Sequence, residues 1–95
     1  SGERRASERI ETQCFVRYSV KTLGFTRRAG VTRTLDVSEG GLCIVLREPP
    51  KTGTRLSLSV RLPGELDPIE METEVVCVRQ LPDGRNAVGL AIRSM

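Results

Sequence analysis

The feature that most constrains the fold of this chain is the alternation of apolar and polar residues along nearly its whole length. The alternation is clearest in residues 54–63, where one face of the predicted strand carries Leu56, Leu58, Val60 and Leu62. A period of two residues places successive side chains on opposite faces of a β-strand. No segment of useful length has the spacing of an amphipathic helix. The sequence therefore predicts an all-β protein with little or no helix.

The alternating segments are six in number and are separated by turn residues. They cover residues 10–21, 31–37, 41–46, 54–63, 69–81 and 85–94. The Pro82–Asp83–Gly84 segment is short enough to join the last two strands as a hairpin, whereas residues 21–30 are expected to form a polar loop or a ragged strand end. Closing six short strands into an antiparallel barrel, rather than stacking them as a sandwich, would remove exposed edges.

Two segments carry more specific expectations. In residues 31–37 the pattern places Val31, Leu35 and Val37 on one face of a strand. In residues 69–81 the alternation changes phase at Val75–Val76, which predicts a β-bulge.

The chain of 95 residues has the length of one domain. We expect residues 1–9 to form a flexible arm, with Ser1–Gly2 as a remnant of a cloning tag, and residues 10–95 to form the barrel. The arm is rich in arginine, and residues 1–33 hold eight basic and three acidic residues, a balance of +5. Arginine suits phosphate and guanine because its planar fork donates paired hydrogen bonds. A solvated basic tail is the alternative interpretation.

Several function classes are disfavoured by composition. Cys14, Cys43 and Cys77 are far apart and the chain has no histidine, so we expect reduced, buried thiols and no metal site. No apolar run is long enough to span a bilayer, and no general base accompanies a nucleophile, so we expect neither membrane insertion nor an enzyme.

Two motifs lie just outside predicted strands. The first, residues 3–10, contains Arg4, Arg5 and Arg9. The second, residues 36–41, contains Asp36, Ser38, Gly40 and Gly41, where the acid can accept, the hydroxyl can donate, and glycine permits close approach or positive φ. The alternative for the second motif is an Asx or Ser turn that simply leads into a strand.

Together the two motifs resemble those of the PilZ domain. Arg5 and Arg9 match Arg-x-x-x-Arg before the first strand, and Asp36, Ser38 and Gly41 match Asp-x-Ser-x-x-Gly before a later strand. The order, the separation and the six-strand content agree over about residues 4–93. The resemblance implies a PilZ-like split barrel that binds the bacterial second messenger cyclic di-GMP. It further implies that Arg4, Arg5, Arg9, Asp36, Ser38, Gly40 and Gly41 bind the ligand.

Further expectations follow from the resemblance. Arg4, directly before the arginine motif, implies an intercalated pair of ligand molecules. The location implied is the bacterial cytoplasm, where the chain is free or is the cytosolic domain of a larger or membrane-tethered protein. Many PilZ domains end in a helix, whereas this chain stops at Met95 just after its last predicted strand, so we expect a domain excised from a longer chain. The arm, ordered by ligand, would signal to a neighbouring domain or partner protein.

Two alternative functions remain open from the sequence. A ligand-independent protein-interaction module would not depend on Arg5 or Asp36. A small barrel that binds nucleic acid would use the basic arm, but Phe15, Tyr18 and Phe25 are the only aromatic residues, which leaves few rings for stacking on bases. We therefore expect cyclic di-GMP rather than nucleic acid as the ligand, and no cofactor.

Overall fold

A computed structural model of the protein describes residues 13–23 and 25–95. These residues contain six strands, and the predicted all-β class is confirmed. The strands are β1 (Phe15–Thr22), β2 (Phe25–Val37), β3 (Gly41–Leu46), β4 (Arg55–Arg61), β5 (Ile69–Gln80) and β6 (Asn86–Ser94). In this described part of the chain there is no helix that could cross a membrane.

The six strands close into an antiparallel barrel in the order β1-β2-β3-β6-β5-β4, as predicted. The ring is completed by the pairing of β4 with β1, in which Phe15 faces Arg61 and Lys21 faces Arg55. The seam between β1 and β4 is therefore diametrically opposite the seam between β3 and β6. These two seams have different outer surfaces, which are described below.

The barrel is filled by the apolar residues that alternate along the strands. The predicted inward residues Leu56, Leu58 and Val60 are almost completely buried. The core cluster consists of Cys14, Val16, Val20, Leu42, Ile44, Leu46, Leu56, Leu58, Val60, Met71, Val75, Val88 and Leu90. Burying this much apolar surface is the main favourable contribution to the stability of so small a domain.

Strand β2 contradicts part of the predicted pattern. Val31 is 66% exposed, while Thr34 is fully buried and its hydroxyl accepts a hydrogen bond from the Cys14 backbone N–H at 3.0 Å. The pairing of β2 with β3 changes register between Thr34 and Asp36, which leaves Leu35 at a bulge. Because the bulge reverses the alternation, Val31 points outward although Val37 packs against the core.

The predicted bulge in β5 is confirmed, since the pairing with β6 changes register between Val75 and Cys77. The predicted hairpin is confirmed as well: the Leu81 N–H donates to the Arg85 carbonyl and the Gly84 N–H donates to the Leu81 carbonyl. Gly84 has φ +91°, a conformation that favours glycine.

Two smaller predictions are wrong in part. Residues 25–30 are not a loop but belong to β2 and pair with β1 from Thr22 to Tyr18, while the change of register between Val20 and Lys21 agrees with the alternative of a ragged strand end. The cysteines are not all buried: Cys14 is buried, Cys43 is half-buried and Cys77 is exposed. Cys77 lies beyond the β5 bulge on an outward position, opposite Gly89.

Candidate ligand-binding site

The second sequence motif forms the tight turn between β2 and β3. The Ser38 N–H donates to the Gly41 carbonyl at 2.8 Å, and the Ser38 hydroxyl donates to the same oxygen at 3.2 Å. The serine therefore fixes the turn, as the alternative interpretation of this motif expected. This role leaves the lone pairs of the hydroxyl oxygen available, so it does not exclude a contact with a ligand.

The two glycines of the turn have different structural roles. A Cβ atom on Gly41 would lie 2.3 Å from the Leu90 carbonyl oxygen, so the β6 backbone requires glycine at this position. A Cβ atom on Gly40 would meet nothing within 4 Å. Neither glycine has positive φ, whereas Gly53, Gly64 and Gly84 do. Of the two reasons predicted for glycine here, positive φ is therefore wrong at both positions. Close approach applies at Gly41, where the neighbour is the β6 backbone, and Gly40 lies in open space.

The turn is attached to the last strand as well as to β3. The Ile92 N–H donates to the Gly40 carbonyl at 3.0 Å, and Gly41 pairs with Ala91. The backbone that carries Ser38 and Gly40 is thus held on both sides by the barrel, which makes the turn a fixed support rather than a free loop.

Asp36 lies just before the turn, on an outward position of β2 opposite Cys43. Its side chain is half-buried, and within residues 13–23 and 25–95 no group donates a hydrogen bond to its carboxylate. A carboxylate accepts hydrogen bonds strongly and gains from charged donors. Asp36 is therefore available to accept from a ligand or from an arginine.

Sequence reasoning missed the surface next to Asp36. On the outer side of β3, β6 and β5, strand pairing places Gly41 beside Ala91. It also places Gly89 between Cys43 on one side and Cys77 on the other. We call these residues the small-residue surface: Gly41, Cys43, Cys77, Gly89 and Ala91. Because none has a large side chain, a flat molecule can approach the sheet closely here. The signal in the sequence was the set of outward small residues in "GGLC" and "AVGLA".

Charged groups border the small-residue surface on two sides. Glu74, opposite Ala91, accepts a hydrogen bond from the Arg93 Nε at 3.1 Å. Arg33 occupies the outward position on β2 before Asp36, and its Nε is buried with no hydrogen-bond partner in the described part of the chain. An unpaired buried donor is costly, so Arg33 gains from any acceptor that reaches it.

The structure thus brings four predicted site residues, Asp36, Ser38, Gly40 and Gly41, into one turn. The other three, Arg4, Arg5 and Arg9, lie outside the described residues, and their role remains a prediction. So does the division of the chain into an arm of residues 1–9 and a barrel of residues 10–95.

One ion pair outside the site contains a carboxylate with a shifted pKa. The Arg85 guanidinium donates to the Asp83 carboxylate in the β5–β6 turn, with its Nη2 2.6 Å from Oδ2. Hydrogen bonds from the Arg85 side chain and backbone lower the pKa of Asp83 below its ordinary value. Both groups are at the surface, so the pair serves the turn and not the candidate site.

Comparison with solved structures supports the fold. The inhibitor of motility MotI/DgrA from Bacillus subtilis aligns over 98% of this chain with a TM-score of 0.75 and 21% identity. The PilZ domain of YcgR from Escherichia coli, solved with c-di-GMP, aligns over 95% of this chain and 78% of its own length, with a TM-score of 0.66 and 17% identity. This chain spans 44% of the Bacillus protein.

Comparison with protein families gives the assignment, while no curated protein matches the chain. The PilZ domain family matches residues 3–95, a span that includes the arginine motif and the β2–β3 turn. PilZ domains are receptors for c-di-GMP without catalytic activity, in agreement with the expectation that this chain is not an enzyme. The chain belongs to the PilZ family.

Proposed function

We propose that this PilZ domain binds cyclic di-GMP at the β2–β3 turn and the small-residue surface. The observation that carries the proposal is the half-buried Asp36 carboxylate, without a partner among the described residues, beside a sheet surface that glycine and alanine keep open. The ligand has two guanines and two phosphates, and a flat purine fits a surface without large side chains. The structure of the YcgR domain with c-di-GMP supports the choice of ligand by analogy.

The turn supplies acceptor and donor groups for complementary parts of the ligand. Asp36 can accept from the N1–H and N2–H groups of a guanine, or it can orient an arginine that binds the ligand. Ser38 can contact a phosphate oxygen, and Gly40 leaves space above the turn. Since the barrel holds the turn on both sides, little conformational entropy is lost there on binding.

The arginines supply most of the affinity in this proposal. Arg4, Arg5 and Arg9 can pair with guanine O6 and N7, bridge phosphate oxygens, or stack on a purine. Hydrogen bonds to charged groups contribute about 1.5–3 kcal/mol each. Three or four of them, less the cost of ordering the arm, give a micromolar Kd, which corresponds to about −8 kcal/mol.

We further propose that two ligand molecules bind as an intercalated pair. Arg4 directly precedes Arg5, so the arm offers three guanidinium groups within six residues, enough to contact phosphates or bases of both molecules. The stoichiometry is tested directly by the ligand-to-protein ratio at the calorimetric end point, which is two for a pair and one for a single molecule.

The proposed output is a change in the arm. Without ligand, the arginines repel one another; bound ligand neutralises them and orders the arm over the β2–β3 turn, which alters the surface shown to an adjoining domain or partner protein. This receptor would act in the bacterial cytoplasm. Hydrogen exchange of residues 3–10 measures the change: we expect strong protection with ligand, and equal exchange with and without ligand would contradict the switch.

Titration calorimetry tests the proposed function. Wild type is expected to bind cyclic di-GMP with micromolar affinity, and Arg5→Ala and Asp36→Ala are each expected to weaken binding by at least about tenfold. GTP and single-stranded DNA serve as competitors. If neither competitor displaces bound cyclic di-GMP, the result agrees with the proposal. If DNA binds tightly and cyclic di-GMP does not displace it, the result supports the nucleic-acid alternative. Equal affinities of wild type and both variants would refute the assigned site.

A further inference from the structure

A groove of about 510 Å³ runs along the outside of the β1–β4 seam, away from the β2–β3 turn. Its walls come from β1, β2, β4 and the start of β5, together with Pro68 just before β5. The outward side chains in register across it are Val31, Arg17, Ser59 and Glu70 in one row, and Phe15 beside Arg61 in the next. The proposed ligand site uses none of these residues, so the groove needs a separate explanation.

The groove exposes two apolar side chains next to each other. Phe15 is 68% exposed and Val31 is 66% exposed. Phe15 pairs with Arg33, and Arg17 pairs with Val31, so Phe15 and Val31 are diagonal neighbours on the same face. Adjacent apolar groups that remain exposed inside a concave, polar-edged surface are typical of protein-interaction sites.

The groove has cations on both strands of its seam. Arg17 on β1 and Arg61 on β4 both lie next to Phe15, and no carboxylate among the described residues forms an ion pair with either. Within the described residues the Arg61 guanidinium donates to the Leu66 carbonyl. On the far side the Glu70 carboxylate accepts from the Ser59 hydroxyl at 3.1 Å. Arg17 and Arg61 can therefore pair with an incoming anion, while the Glu70 carboxylate already accepts a hydrogen bond from Ser59.

We propose that this groove docks an acidic segment of a partner protein that also presents an apolar side chain. The apolar side chain would cover Phe15 and Val31, and carboxylates would pair with Arg17 and Arg61. Charge complementarity of this kind sets specificity and the rate of association. A nucleic-acid strand fits less well, because Glu70 lines the far edge, the Glu72 carboxylate accepts a hydrogen bond from the lining residue Ser57, and Phe15 is the one aromatic residue among the described lining.

The inference goes beyond ligand binding and does not depend on it. The groove is on the opposite side of the closed barrel from the seam that holds Gly41 against Leu90. It is also close in sequence to the arm, since Phe15 follows Arg9 by six residues. A partner docked at β1 would therefore sit close to the N-terminal end of that strand, at Phe15.

The test is an NMR titration of the full chain with three probes: a short peptide of leucine and glutamate, the same peptide with lysine for glutamate, and an oligothymidylate. We expect only the glutamate peptide to shift backbone amides, and only on β1, β4 and the first half of β2. Arg17→Glu is expected to weaken this binding about tenfold, and Phe15→Ser to weaken it as well. Arg79→Glu, an exposed charge reversal on β5, is the matched control and is expected to change nothing.

Four outcomes would overturn the docking proposal: no binding of the glutamate peptide, equal binding of the lysine peptide, oligothymidylate binding on the same face, or self-association of the chain through it. Each variant is also titrated with cyclic di-GMP. Arg17→Glu and Phe15→Ser are expected to bind the nucleotide like wild type. A chain that binds the peptide but not cyclic di-GMP would refute the proposed ligand and leave the docking surface intact.

Discussion

The outer surfaces of the two opposite seams of this barrel differ in almost every respect. At the β3–β6 seam the outward residues are small, and Gly41 is so close to β6 that a Cβ atom would lie 2.3 Å from the Leu90 carbonyl oxygen. At the β1–β4 seam the outward residues include long and bulky side chains as well as serines, with Phe15 exposed and Arg17 and Arg61 beside it. Both surfaces are built on the same buried core, so packing of the interior does not explain the difference.

This contrast teaches how one small barrel can separate two kinds of recognition. A surface of glycine, alanine and cysteine exposes its backbone beside a few fixed polar groups, which suits a rigid, flat ligand. A groove of exposed apolar and cationic side chains suits a flexible chain that brings its own carboxylates.

The strongest prediction concerns the glycines of the β3–β6 seam. Gly41→Ala is expected to destabilise the fold by about 3 kcal/mol, because the new Cβ meets backbone that cannot rotate away. Gly89→Ala is expected to cost less, since its nearest obstacle is the Cys77 Sγ at 2.5 Å, which can change rotamer. Gly40→Ala, with nothing within 4 Å, is the control and stays within about 0.5 kcal/mol.

Thermal unfolding measures this series. For a domain of this size each kcal/mol corresponds to roughly 4–8 °C in Tm. We expect Gly40→Ala to have the highest Tm, Gly89→Ala an intermediate Tm and Gly41→Ala the lowest. If Gly41→Ala were as stable as Gly40→Ala, the close approach of β3 and β6 described here would be wrong.

The second prediction separates the two seams by function. Asp36→Asn is expected to weaken cyclic di-GMP binding by about tenfold with no change in Tm, because its carboxylate has no partner in the described part of the chain. Arg17→Glu is expected to have the converse profile, losing the acidic peptide and keeping the nucleotide. Calorimetry measures the affinity of each variant for cyclic di-GMP and for the acidic peptide. A variant that weakens the binding of both ligands equally would show that the two seams are coupled.

The third prediction uses the cysteines as reporters. Cys77 is exposed on the small-residue surface, whereas Cys14 is buried in the core. Cyclic di-GMP is expected to slow alkylation of Cys77 several-fold by covering it. Mass spectrometry after iodoacetamide treatment measures the rate, with Cys77→Ser as the control that identifies the fast thiol. Unchanged alkylation at saturating ligand would place the ligand away from this surface.

The smallest effect is expected at the β5–β6 turn, outside both seams. Arg85 lowers the pKa of Asp83, so the folded state favours the ionised carboxylate. The contribution to stability is present above the ordinary pKa of 3.8 and is lost as pH falls through the lowered pKa of the folded state. The difference in Tm between wild type and Asp83→Asn should therefore be small at pH 7 and shrink below pH 3.8. A difference that grows on acidification would contradict this sign.

Much of the barrel could be predicted from the sequence because its signals are local. Alternation of apolar and polar residues predicted the strands, and the two adjacent valines Val75 and Val76 predicted the β5 bulge. The β2 bulge escaped detection because the buried residue before it is Thr34, whose polarity hides the change of phase. The strand character of residues 25–30 was missed since it comes from pairing with β1, which overrides local composition.

The candidate site was predictable in part for a similar reason. Asp36, Ser38, Gly40 and Gly41 are contiguous in the sequence, so the motif could be read directly. The small-residue surface joins three strands, and the need for glycine at Gly41 arises from the Leu90 carbonyl far along the chain. Such contacts depend on strand order and register, which a local pattern does not contain.

The proposed ligand site is tested most directly by a map of amide chemical shifts during titration of the wild-type chain with cyclic di-GMP. We expect shifts at Asp36, Ser38, Gly40 and Gly41 and across the small-residue surface, with the β1–β4 groove residues Arg17, Ser57 and Ser59 unchanged. Shifts centred on the β1–β4 groove, or none at the β2–β3 turn while binding saturates, would contradict it.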